Sequence, residues 1–129
     1  MVKGKDKILK IIEKWKLILG LVNWDISVKL DKDLYKTCNK EIKKGFKVNG
    51  SNETQIEYFS SILRFPDNRV DESSIIHELC HCLTEELCGY CRSNFIKKES
   101  KDGLWLDYFN ERLVTQIERI VYRLKQENK

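Results

Sequence analysis

Between residues 5 and 19, apolar side chains recur at Ile8, Leu9, Ile11, Ile12, Trp15, Ile18 and Leu19. Spacings of three and four put them on one face of a helix, and Gly20 behind them is the residue type that most easily makes the left-handed turn closing it. The period then changes. Val22, Trp24, Ile26, Val28 and Leu30 alternate with Asn23, Asp25, Ser27 and Lys29, the pattern of a half-buried strand over 22–30. From Asp31 to Lys44 no period holds, which predicts an irregular connection with a short strand or turn near Tyr35–Cys38. Gly45–Val48 reads as a short strand running into a turn at Asn49-Gly50-Ser51-Asn52, since Asn-Gly tolerates positive φ. Thr54 to Phe65 is rich in β-formers with apolar residues on both faces, so a central strand, or one edging a site, is expected there.

Pro66-Asp67-Asn68 ends that strand, and Asp71-Glu72-Ser73-Ser74 supplies several N-cap candidates before Ile75-Ile76-His77. The helix that follows is expected to turn Ile76, Leu79, Cys80, Leu83 and Leu87 to the core and to stop at Gly89. After a polar connection from Arg92 to Lys101, the longest helix is predicted from Asp102 to Lys125, its apolar face built from Leu106, Phe109, Leu113, Ile117, Ile120 and Leu124. Its adjoining flank carries Asp107, Glu111 and Glu118 with Val114 and Val121. These elements predict an α+β fold: an N-terminal helix, a small mixed or antiparallel sheet, a motif helix and a C-terminal helix.

Composition narrows the class. A length of 129 residues, 41% hydrophobic, with one proline, six glycines and no repeat, is expected to form a single domain over 1–129. The net charge of +4 comes from scattered lysines, and no concentrated basic face with interleaved aromatics appears, so nucleic acid is not the expected partner. No stretch approaches the ~20 apolar residues of a membrane span, and Met1 to Lys10 lacks the apolar run of a signal peptide. A cytoplasmic location is therefore expected. Five cysteines without such a signal read as reduced thiols, with Cys80 and Cys82 as packing residues.

The chemistry lies in His77-Glu78-Leu79-Cys80-His81, an H-E-x-x-H that holds both histidines of the chain. Four residues apart on a helix, two Cβ atoms stand about 6 Å apart, close enough for both imidazoles to reach one zinc at roughly 2.0–2.1 Å. Glu78 lies about 100° around the helix from His77, beside the positions left for water and substrate. A zinc ion lowers the pKa of bound water from 15.7 to about 7, leaving Glu78 the proton transfers of a general base.

With both histidines used, a third protein ligand has to be a carboxylate or a thiolate. Glu85 shares their face but lies about 12 Å along the axis from His77, too far to close the site. Of the acidic residues on the last helix, Glu111 is the best candidate, with Asp107 and Glu118 read as surface charges. A rival reading joins His77, His81, Cys88 and Cys91 in a closed structural zinc site, which would make the chain a non-catalytic interaction module. A helix continuous through Leu87 would put Cys88 about 10 Å along the axis from His81, so this arrangement needs an early break.

Trp24-Asp25-Ile26, the strand Ile56–Phe65, Ile75-Ile76-His77-Glu78-Leu79-Cys80-His81, and Asn110-Glu111-Arg112-Leu113-Val114 with Glu118 and Arg119 together resemble the zincin metallopeptidases. The likeness is to their small glutamate-type members, including those carried by phages and prophages. It implies His77, His81 and Glu111 as zinc ligands and Glu78 as general base and acid. A peptide or protein substrate is expected to lie extended along the edge strand near 54–64. Position 115 is a threonine where the family pattern has an acidic residue that orients the first histidine, which leaves Glu118 as the candidate substitute. No spare histidine exists for the oxyanion, so Tyr90, Tyr108, Tyr122, Arg112 or the metal alone would serve. The metzincin continuation H-x-x-G-x-x-H is missing after His81.

Overall fold

The computed structural model describes residues 4–32, 34, 50–66, 70–97 and 100–127. Helix α1 spans Lys5–Leu19 and strand β1 spans Asp25–Leu30. Strand β2 (Ser51–Gln55) leads through a 3-10 turn at Ile56–Tyr58 into strand β3 (Ser60–Phe65). Two long helices follow, α2 (Glu72–Asn94) and α3 (Lys101–Glu127). The architecture is α+β, as the pattern predicts. The expected elements near Tyr35–Cys38 and at Gly45–Val48 lie outside the described residues.

Helix α1 matches its expected span and buries Ile8, Ile12 and Trp15, while Gly20 takes φ 75° and its N–H donates to the Lys16 carbonyl. The next strand starts later than the alternation suggests. Leu21 to Trp24 make a turn, closed by the Trp24 N–H on the Leu21 carbonyl, and Val22 is left exposed. Three strands form a mixed sheet in the order β1-β3-β2, with β1 parallel and β2 antiparallel to β3.

The single strand expected over Thr54–Phe65 is two strands in antiparallel register, Thr54 opposite Ser61 and Asn52 opposite Leu63. Phe59 makes the reversal with φ 46°, a left-handed conformation that a hydrophobic residue does not advertise in sequence. Ser51 and Asn52, expected in a turn, belong to β2. Ser61, Leu63 and Phe65 form the buried face of β3 and join Ile26 and Val28 of β1 in the core.

Helix α2 begins behind Asp71, whose carbonyl accepts from the Ser74 and Ile75 N–H groups. Ile75, Ile76, Leu79, Cys80 and Cys82 fill the core between α1, the sheet and α3. Gly89 does not end it. The helix runs to Asn94 and closes on Phe95, and Gly89 serves to let the Glu85 side chain lie across it, since a Cβ there would stand 2.8 Å from Glu85 Oε1. Leu83 and Leu87, expected in the core, are exposed, because this half of the helix turns Thr84 and Cys88 inward instead.

Helix α3 is rotated from the expected orientation. Phe109, Leu113, Ile120 and Leu124 are exposed, whereas Gly103, Asn110 and Val114 are buried and Ile117, Val121 and Tyr122 pack on the core. Two overlapping apolar stripes share Ile117. The one that packs is the stripe that brings Glu111 and Glu118 against α2, and Arg92 ties the helices further along by donating to Asp107 at 3.1 Å and Glu85 at 3.1 Å. No helix among the described residues is long and apolar enough to cross a membrane.

Candidate metal centre

His77 and His81 project from one face of α2 toward α3, with ring centroids 5.1 Å apart. The Glu111 carboxylate spans them: Oε2 is 3.1 Å from His77 Nε2 and Oε1 is 2.9 Å from His81 Nε2. These three residues form a group whose ligand atoms lie within 4.8 Å of one another. Two ligands at about 2.1 Å on a tetrahedral ion stand about 3.4 Å apart, so the Glu111 carboxylate need draw back from each imidazole by only a few tenths of an ångström to admit a metal. The donor set of two imidazole nitrogens and a carboxylate can hold a metal ion.

The other nitrogen of His77 is also engaged, with Nδ1 at 3.3 Å from Glu118 Oε1. Glu118 is seven residues beyond Glu111, two turns down the same face of α3, so one helix supplies both the candidate ligand and the group that orients the imidazole. Burial, the largest influence on His77, lowers its pKa, but the hydrogen bond to Glu111 and the charges of Glu78, Glu111 and Glu118 outweigh it and leave the pKa raised. Glu111 is held far below the usual carboxylate range by its hydrogen bonds to His77 and His81. Both ring nitrogens of His77 thus face carboxylates, and a cation arriving at Nε2 would take the place of the direct contact with Glu111.

Glu78 is 6% exposed, and burial raises its pKa against the opposing hydrogen bond from Asn52. Asn52 Nδ2 donates to Glu78 Oε2 at 2.9 Å. Gly50 completes the enclosure, since a Cβ there would come within 3.2 Å of Glu78 Cγ and 3.0 Å of the Phe65 ring. Neither residue was legible as part of a site: Asn49-Gly50-Ser51-Asn52 reads locally as a turn, and only the hairpin register brings Asn52 over α2.

The other predicted residues separate. Cys88 and Cys91 lie further along the unbroken helix, on which Cys88 is about 10 Å along the axis from His81. The arrangement of these cysteines with His77 and His81 is not formed. Burial pushes the thiols of Cys80 and Cys82 up to about 12 and about 11, as packing residues would have them. The Tyr122 ring lies tilted beside Trp15, and Tyr108 belongs to an exposed aromatic group with Trp105 and Phe109. Tyr90 lines a cleft of about 550 Å³ with Thr54, Gln55, Tyr58, Glu85 and Gly89, so this cleft begins within about a turn of His81 and runs between β2 and the second half of α2. No protein-family model, curated protein or solved structure matches the chain.

Proposed function

We propose that this chain is a zinc-dependent metallopeptidase of the zincin type. The observation that carries the reading is the convergence of His77 Nε2, His81 Nε2 and the Glu111 carboxylate beside a buried Glu78, next to a sheet edge and a cleft. Two imidazoles and one carboxylate with further positions open are the ligand set of hydrolytic zinc sites. Zinc bound there would supply Lewis acidity for a peptide carbonyl and make water acidic enough to be deprotonated near neutral pH.

The chain's own residues do the rest. Glu78, held in a dry pocket with its pKa above the usual carboxylate value, takes a proton from the attacking water and returns it to the leaving amine. Glu118 keeps the Nδ1 proton of His77 in place, which fixes the tautomer and aims Nε2 at the metal. An extended peptide would lie along β2 at Ser51–Gln55, the strand at the end of the order β1-β3-β2, with side chains reaching the cleft beyond His81. The target is a peptide or a protein with an extended segment.

Purified protein loaded with one equivalent of zinc is expected to cleave members of a mixed peptide library, with cleavage abolished by a chelator. Glu78→Gln should keep the metal and lower kcat by about 10²–10⁴. Cleavage that survives Glu78→Gln at the wild-type rate would remove the proposal.

A further inference from the structure

Glu78 is joined to the sheet by hydrogen bonds that all point the same way. Asn52 Nδ2 donates to Glu78 Oε2 at 2.9 Å, Thr54 Oγ1 donates to Asn52 Oδ1 at 3.0 Å, and Thr54 Oγ1 and Ser61 Oγ are 3.0 Å apart. A hydroxyl has one proton. Because Thr54 spends its proton on Asn52, Ser61 must donate to Thr54, and the order of donation runs from Ser61 through Thr54 and Asn52 to the carboxylate. The Cys82 side chain lies beside Ser61 and Thr54 at the far end.

Two periodicities make the fit. Asn52 and Thr54 are two apart on β2 and so share a face, with Cα atoms about 6.8 Å apart, and Ser61 is the cross-strand partner of Thr54. Glu78 and Cys82 are four apart on α2, about 6 Å along the helix axis. A strand step of two and a helix step of four are nearly equal in length, so the polar pair on the sheet lies over the polar pair on the helix. Ser61 is 2% exposed and Glu78 6%, so the seam is largely withdrawn from water.

We infer that Asn52 is the positioning residue for Glu78: the one-way chain Ser61–Thr54–Asn52 fixes the amide with its NH2 toward the carboxylate and so holds Oε2, leaving Oε1 for the proton transfers. The Glu78 carboxylate and the Thr54 hydroxyl select the same orientation of the Asn52 amide, and losing the Thr54 donor removes one of the two contacts that hold it. Flipped, it would set its oxygen against the carboxylate. Glu78 Oε1 takes part in no hydrogen bond among the described residues, as a base facing water requires. The role rests on the peptidase reading, but the contact does not.

The test uses full-length Asn52→Leu, Thr54→Val and Thr54→Ser, first checked for wild-type zinc affinity and thermal midpoint. Thr54→Val keeps the shape and loses the proton, and should lower kcat about tenfold at unchanged KM, as one neutral hydrogen bond is worth. Thr54→Ser should restore it, and Asn52→Leu should lower kcat about a hundredfold by letting the base drift. A raised KM with normal kcat would instead make Asn52 a substrate contact, and wild-type kinetics in both Thr54→Val and Asn52→Leu would make it a passive strand residue. Either overturns the inference. The side-chain NH2 signal of Asn52 in zinc-free protein decides the matter even if no peptide is cleaved. Slow hydrogen exchange that is lost in Thr54→Val, with a shift of the signal in Glu78→Gln, supports the chain, and exchange as fast as a surface asparagine refutes it.

Discussion

At the scale of single residues, the site is an economy of carboxylates around one imidazole. His77 meets Glu111 at Nε2 and Glu118 at Nδ1, and the two contacts differ in what a metal does to them. An ion at the group takes over the first and leaves the second as the support that orients the ring. Glu118→Gln is therefore expected to weaken zinc binding by about 10–100-fold while leaving the ligand set intact, measured by competition with a chromophoric chelator. Asp107→Asn, at a residue that pairs with Arg92 away from the histidines, should leave zinc affinity unchanged. Equal losses from both would mean that α3 acts through its overall charge and not through the Glu118 contact.

Among the elements, the hairpin β2–β3 does most to build the pocket of the base. Gly50 is the point where the chain entering β2 comes against Phe65 and Glu78. The Phe65 ring is fully buried and cannot yield, so Gly50→Ala should destabilise the fold by about 1–3 kcal/mol in urea denaturation and lower activity beyond that through the displaced Glu78. An unchanged urea midpoint would show that the approach is looser than the geometry requires. Much of this level was legible in the chain: the α1 span, its Gly20 cap, the α+β class and the two-histidine face all follow from local period and residue type. What was not legible depends on contacts between elements. The strand over 54–65 hid a reversal because Phe59 carries no turn chemistry. The packed face of α3 differs from the one its period suggests because two apolar stripes overlap, and only packing against α2 selects the one carrying Glu111. Asn52 could not be found at all, since its role exists only once β2 lies over α2.

For the whole molecule, stability should depend on pH in opposite senses with and without zinc. The folded pKa of His77 is raised, so its contribution in the metal-free protein is complete below the ordinary value near 6.5 and fades as pH rises through the raised value. Glu111 is depressed, so its contribution is present above about 4.5 and is lost as pH falls toward the lowered value. This cluster thus stabilises the metal-free fold most between those limits. Zinc competes with the His77 proton, so its affinity and the stability it adds should rise with pH through 7, by about 2.7 kcal/mol at a free concentration a hundredfold above Kd. Thermal midpoints of the two forms across pH 5 to 8 should therefore diverge. The most direct test of the account is the X-ray absorption fine structure of the zinc-loaded protein. The account predicts a first shell of nitrogen and oxygen at about 2.0–2.1 Å with imidazole outer-shell scattering from two rings, and sulfur scatterers at about 2.3 Å would contradict it.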